Sequence, residues 1–321
     1  LGDPRTMVAA TAFVVASAAG VCAVGLQNGL ERVSKALMAC LLALIFVLAA
    51  RSLMLPGAAK GVVFYLVPDF AKMNEVGIGN VVVEAANQAF FTLSLGIGSM
   101  AIFGSYIDRS RTLLGEALNV AALDTSVAIM AGLIVIPACF AFGIEPGQGP
   151  GLVFVTLPNV FNAMPLGRLW GTLFFAFMSF AALTTVLAVF ENVVACVMDF
   201  IGLARRRASL VSGVALLVLS LPCAFGFNVW SAFKPFGEGT CVLDLEDFAV
   251  SDVMLPLGAL AFALFCTRRY GWGWKNFLRE ANAGAGPRFP DALRLYCAYG
   301  VPVIIISIFA IGVLRRFHFA G

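Results

Sequence analysis

Apolar residues run along this chain in long blocks, not in the spaced stripe of a soluble amphipathic helix. Eight stretches, near 7–25, 36–55, 79–106, 114–142, 167–198, 209–227, 250–267 and 293–314, are apolar over roughly the 20 residues a helix needs to cross a bilayer. Each predicts a membrane helix. The expected fold is an all-α polytopic membrane protein, with 1–321 as one transmembrane domain. One block breaks its own pattern. Within "NQAFFTLSLGIGSMAIFGSY", residues 87–106, two glycines and two hydroxyls fall between Thr92 and Gly98, halfway along the span. Each glycine weakens a helix by about 1 kcal/mol. Backbone groups left unpaired at that depth survive only where they line a cavity. A helix interrupted there exposes half-helix ends whose dipoles suit ions and carboxylates. The same residue types occur in tightly packed membrane helices, so both readings stand at this point.

Composition makes the bilayer the solvent. The chain is 61% hydrophobic and 12% charged, where a soluble domain carries roughly twice that charge. The net charge of +3 comes without any Lys/Arg run, so nothing points to nucleic acid. The eight cysteines lie mostly within spans, where Cys acts as a small apolar residue. Cys223 and Cys241 fall on one side of the membrane, and whether they pair is open. The chain begins Leu1-Gly2-Asp3-Pro4, with neither an initiator Met nor the pattern of a cleaved signal, which reads as a fragment or a processed product.

Basic residues set the orientation. Alternate loops hold Arg32 and Lys35, then Arg109 and Arg111, then Arg205 to Arg207, then Arg268, Arg269, Lys275, Arg279, Arg288 and Arg294, which is most of the 21 Lys and Arg. That side is expected to be cytoplasmic, in a multi-pass membrane protein. Two long outer loops, near 56–78 and 143–166, have their own Pro and Gly punctuation and are read as re-entrant or lid-like segments or as plain connectors. In the second, "LPNVFNAMP" predicts a short amphipathic helix between prolines, following "GIEPGQGPG". The inner loop 268–292, rich in Tyr, Trp and Arg, is expected along the membrane surface.

Polar residues inside other spans sharpen the picture. "NVAALDTSVAIMAG" buries Asp124 in apolar sequence. A carboxylate there costs roughly 2.5–3.5 kcal/mol on insertion and so implies a partner or an ion. "FAALTTVLAVFENV" sets Ala181 three residues before Thr184 and four before Thr185, on one helix face. A carbonyl and two hydroxyls are the oxygen ligands of an alkali ion; the other reading is a Thr pair bonded to its own backbone. No metal-ligand spacing or nucleophile–base pair appears, and the only His, His318, lies in the tail, which argues against an enzyme.

These motifs together resemble the neurotransmitter:sodium symporters, bacterial amino-acid branch. "QAFFTLSLGIG" with Ser105 and Tyr106 resembles their unwound sixth helix, "LDTSVAIMAG" the seventh, "FAALTTVLA" the eighth and "GLQNGLERVSK" the loop after the fourth. The resemblance covers essentially the whole chain. It implies a broken-helix, inverted-repeat sodium symporter fold, here partial: helices four to eleven, without the first three. It implies a substrate wall of Phe91, Thr92, Ser94, Ile97, Thr185 and Val189, with Ile97 standing where relatives often have Phe. It implies one sodium site with Thr92 and Asp124, where relatives usually have Asn, and a second with Ala181, Thr184 and Thr185. Gln88 resembles the neighbour of the chloride position, which Ala128 occupies here without charge or hydroxyl. The implied gates are Asp247 outside and Tyr106 with Asp199 inside, although Asp199 reads equally as a solvated residue beside Arg205.

The expected function is therefore sodium-coupled symport of an amino acid or related small amine by alternating access. Na+ is the coupling ion, chloride is not required, and no other cofactor is implied. The alternatives are a channel-like or non-transporting protein of the same fold, or an inactive fragment. The 321-residue chain alone is expected neither to transport nor to bind substrate tightly. The sequence carries no signal of oligomeric state.

Overall fold

A computed structural model of the chain describes residues 2–25, 30–107, 109–144, 146 and 151–318, with the backbone alone for 315–318. "GLQNGLERVSK" and "GIEPGQGPG" thus lie partly outside the described residues, as does the side chain of His318. The helices, in chain order, are α1 Pro4–Val24, α2 Arg32–Leu53, α3 Ala58–Leu66, α4 Phe70–Val76, α5 Ile78–Thr92, α6 Ser99–Tyr106, α7 Leu113–Ala141, α8 Leu157–Ala163, α9 Gly167–Ile201, α10 Arg205–Gly226, α11 Val242–Asp247, α12 Leu255–Thr267, α13 Trp274–Ala281 and α14 Val301–His318. Among the described residues, seven helices are long and apolar enough to cross a membrane. They coincide with seven of the eight predicted spans.

The eighth span, 79–106, is the pair α5 and α6, so the predicted interruption is present. Helix ends shift outward elsewhere for a physical reason. Hydropathy marks only the part that sits in hydrocarbon, and α10 starts at Arg205 because basic side chains continue a helix into the headgroup layer. The span predicted from 250 begins at Val242, as α11 and a π-helical turn, Phe248–Met254, lead into α12.

The chain divides into two compact units. One comprises 21–75 and 122–188. Its core joins Leu41, Ile45 and Leu48 of α2 to Ile134 and Ala138 of α7, Phe174 and Phe177 of α9, and Leu157, Val160 and Phe161 of α8. The helix predicted from "LPNVFNAMP" is α8, which continues a π-helical turn, Leu152–Thr156, with Pro158 beside the junction. Gly132 of α7 leaves room for the Tyr65 ring of α3: a Cβ there would lie 2.1 Å from the ring. The Tyr65 hydroxyl donates to the Ala128 carbonyl at 3.3 Å.

The other unit comprises 1–20, 76–121 and 189–321. α1 and α10 meet through small residues: Ser209 Oγ donates to the Ala19 carbonyl at 2.7 Å, and Gly213 faces Ala19. α5, α12 and α14 pack around Phe90, Leu255, Ile305 and Ile308. In the loop 268–292, α13 is amphipathic but buries Trp274, which packs tilted on Phe277 and edge-on to Phe289 and donates from Nε1 to Asp291. Cys223 and Cys241 are free thiols, and burial holds the Cys241 thiol above its ordinary range.

Candidate functional site around a broken helix

The interruption between α5 and α6 has defined geometry. α5 ends with the Ser94 N–H donating to the Phe91 carbonyl (3.0 Å) and the Leu95 N–H to the Phe90 carbonyl (2.9 Å). These two bonds form a Schellman ending, with Ser94 in the left-handed position at φ 51°. Serine there, where glycine is usual, is a local strain of about 1 kcal/mol. The chain then turns through Gly96 (φ 92°) and Gly98 (φ 90°), and Gly98 caps α6. Gly96 is required twice over. A Cβ on it would lie 2.2 Å from the Leu255 carbonyl of α12, and a Cβ on Gly258 would lie 2.2 Å from the Gly96 carbonyl. The unwound stretch is thus seated backbone to backbone on α12.

Around this break Phe91, Thr92 and Ile97 are exposed and Ser94 is half-buried. Gln88 is exposed on α5, one turn before Thr92. Val189 is exposed on α9. Thr92 has an interaction partner.

In the unit that holds them, Ala181, Thr184 and Thr185 do converge. The Thr184 hydroxyl donates to the Ala181 carbonyl at 2.8 Å and the Thr185 hydroxyl at 3.2 Å. Both readings of this motif describe the same three oxygens: the hydroxyls bond to the backbone, and in doing so gather at one carbonyl. Asp124, in the same unit, is half-buried on α7 and has a partner. Ala128, one turn on, presents only its methyl and the carbonyl that Tyr65 covers. Among the described residues no cluster of His, Cys, Asp or Glu is arranged to hold a metal.

The end that carries Arg205 holds a residue that the sequence reading passed over. Glu191 is fully buried, at 0% exposure. Its carboxylate accepts from Arg205 Nη2 at 2.5 Å and from the Tyr106 hydroxyl at 3.1 Å. Glu191 thus joins Tyr106 to Arg205, and Asp199 is exposed. The signal was available, since Glu191 stands within the apolar "FAALTTVLAVFENV" as Asp124 does within its span. At the outer end Asp247 is exposed and accepts from the Ser251 hydroxyl at 2.8 Å. Asn87 of α5 donates to Asp252 of the π turn at 2.9 Å, a second polar pair that sequence reasoning missed.

A family model described as the sodium:neurotransmitter symporter family matches residues 1–318. The chain belongs to that family. Among its relatives, a sodium-dependent transporter of Bacillus subtilis, YhdH, is 35% identical over 97% of this chain and 68% of its own length. One from Haemophilus influenzae is 32% identical over 90% of this chain and 62% of its own length. Among solved structures, that of MhsT in complex with L-phenylalanine superposes with a TM-score of 0.80 at 36% identity, covering 93% of this chain and 66% of that one. The chain thus spans about two thirds of the length of its relatives. Family and relatives are transporters rather than enzymes, and the multi-pass, broken-helix symporter fold is the one expected from sequence.

Proposed function

We propose that the protein to which this chain belongs performs sodium-coupled symport of an amino acid. The observation that carries the proposal is the convergence of the Thr184 and Thr185 hydroxyls on the Ala181 carbonyl, three oxygens at mid-helix in an apolar span. A small hard cation takes such oxygens readily, and sodium dependence agrees with the relatives' names. On this reading Ala181, Thr184, Thr185, Asp124 and Thr92 are sodium ligands, and Phe91, Thr92, Ser94, Ile97, Thr185 and Val189 meet substrate.

The exposed half-helix ends suit a carboxylate and a cation. The L-phenylalanine bound by MhsT supports an amino acid with an apolar side chain, packed on Phe91, Ile97 and Val189. Asp247 would gate the outside and Tyr106 with Asp199 the inside, and the segments 56–78 and 143–166 would act as lids. The Bacillus and Haemophilus relatives support a bacterial inner membrane.

Chloride is not needed on this reading. Ala128 offers an anion nothing, whereas Asp124, one turn earlier, supplies a negative charge of its own. In proteoliposomes of the full-length protein, an inward sodium gradient should concentrate the amino acid, and replacing chloride with gluconate should leave uptake intact. Asp124→Asn should lose uptake or acquire a new ion requirement. Conductance without accumulation would point instead to a channel and overturn the proposal.

A further inference from the structure

A cleft and a slot adjoin on the basic side of the unit that holds the broken helix. After α12 the chain doubles back. The Gly271 N–H donates to the Arg268 carbonyl (3.2 Å) and the Trp272 N–H to the Phe265 carbonyl (2.9 Å), which sets Arg268, Arg269 and Tyr270 at the tip of a tight turn. Facing them, a 3-10 turn, Asp291–Leu293, and a π-helical turn, Tyr296–Gly300, lead into α14 and bring up Arg294 and Tyr299. Between the two lies a cleft of about 560 Å³ lined by all three arginines. Arg268 is held in place: its Nη2 donates to the Ala298 carbonyl at 3.1 Å, and its guanidinium lies 4.5 Å over the Tyr299 ring. Among the described residues none of these three guanidiniums is in an ion pair, whereas Arg109, Arg111 and Arg205 each have a carboxylate.

The slot is a cavity of about 410 Å³, lined by Phe262, Ala263, Tyr296 and Ile304 and by Leu95 and Gly96 of the unwound stretch. It is almost wholly apolar. Cleft and slot adjoin along two elements: Thr267 lines the first and Ala263, one turn earlier on α12, the second; Leu295 lines the first and Tyr296 the second.

We infer that this pair of cavities binds one anionic phospholipid of the inner leaflet, with its phosphate on Arg268, Arg269 and Arg294 and an acyl chain in the slot. Guanidinium forks match phosphate oxygens with two parallel hydrogen bonds, and basic pockets between membrane helices on the cytoplasmic side suit anionic headgroups. A free phosphate would satisfy the cleft but not the slot, and a zwitterionic lipid would fill the slot but bring its headgroup cation among three arginines. The acyl chain would lie against the broken helix, the stretch that faces substrate on the function proposed above.

Native mass spectrometry of the full-length protein tests this, with phosphatidylglycerol and phosphatidylcholine of identical acyl chains as probes. Phosphatidylglycerol should be retained selectively. Arg269→Gln with Arg294→Gln, both exposed positions, should weaken retention about 30-fold, from about fivefold per charge. Arg206→Gln with Arg207→Gln, an equal loss of charge on the same side, should leave it unchanged. Ala263→Phe, which fills the slot, should also lower retention. Equal retention of the two lipids would overturn the inference, as would a full-length protein whose own chain fills the slot and excludes lipid. So would an Arg269/Arg294 variant no weaker than its control, or displacement by inorganic phosphate with Ala263→Phe without effect.

Discussion

Two spans of this chain carry oxygen into apolar surroundings by opposite means. Between α5 and α6 the backbone itself unwinds, and Ser94, Gly96 and Gly98 adopt left-handed conformations. α9 stays helical over 35 residues and exposes oxygen through side chains, with two threonine hydroxyls turned onto one carbonyl. The first solution depends on a neighbour, since Gly96 fits only because Gly258 of α12 also lacks a side chain. The second depends on nothing outside its own helix turn. Unwinding therefore yields a site that is specific and fragile, and the continuous helix one that is modest and robust.

That contrast can be broken or sharpened by substitution in the full-length protein. The largest effect belongs to Gly96→Val, which meets a backbone oxygen at 2.2 Å and an unfavourable φ together. A cost beyond about 4 kcal/mol is expected, read as loss of monodisperse protein in size-exclusion chromatography. A variant that purified and unfolded like the parent would show that the break is not seated on α12.

Next comes Arg205→Leu, which strands the buried Glu191 charge at the inner end of α9. Removing one partner of a buried pair costs about 3–5 kcal/mol, while replacing both is far milder. The thermal unfolding temperature should fall sharply in the single variant and recover in Arg205→Leu with Glu191→Leu. A double variant as weak as the single one would mean that the pair does more than neutralise itself.

Thr184→Val should barely change stability, because Thr185 still bonds to the Ala181 carbonyl. Apparent sodium affinity should drop about tenfold, the worth of one oxygen ligand to a charged partner, while binding at saturating sodium stays near parent. Unchanged sodium dependence would remove α9 from the ion site. The smallest effect is Ser94→Gly, which relieves the left-handed serine and should raise stability by up to about 1 kcal/mol. No gain in thermal unfolding would mean that its hydroxyl repays the strain.

Much of this was legible in the sequence because the bilayer imposes a simple length rule on apolar blocks. The break was legible for the same reason, since Gly96 and Gly98 interrupt a block that should not be interrupted. What fits against them was not, because Gly258 stands in "LPLGALAFA", a stretch with no local oddity. The π turns at 248–254 and 296–300 escaped as well, since one extra residue per turn leaves no mark on hydropathy. Glu191 shares its segment with the paired threonines, yet a carboxylate buried in a span demands a partner as firmly as Asp124 does. The ion pair with Arg205 was not legible either, since it belongs to Glu191, two turns before Asp199 on α9.

The carbonyl of Ala181 has a consequence for timing. It holds two hydroxyl protons, and on the proposed reading a cation displaces both by having each hydroxyl swing about its own C–O bond. No backbone segment has to move. Rotations of that kind take picoseconds to nanoseconds, whereas rearranging a helix takes microseconds or more. The ion site on α9 would fill and empty like a fast latch, far ahead of the chain around it. On the same reading the slow clock of the cycle would lie at the seated glycines of the broken helix, where one backbone rests on another.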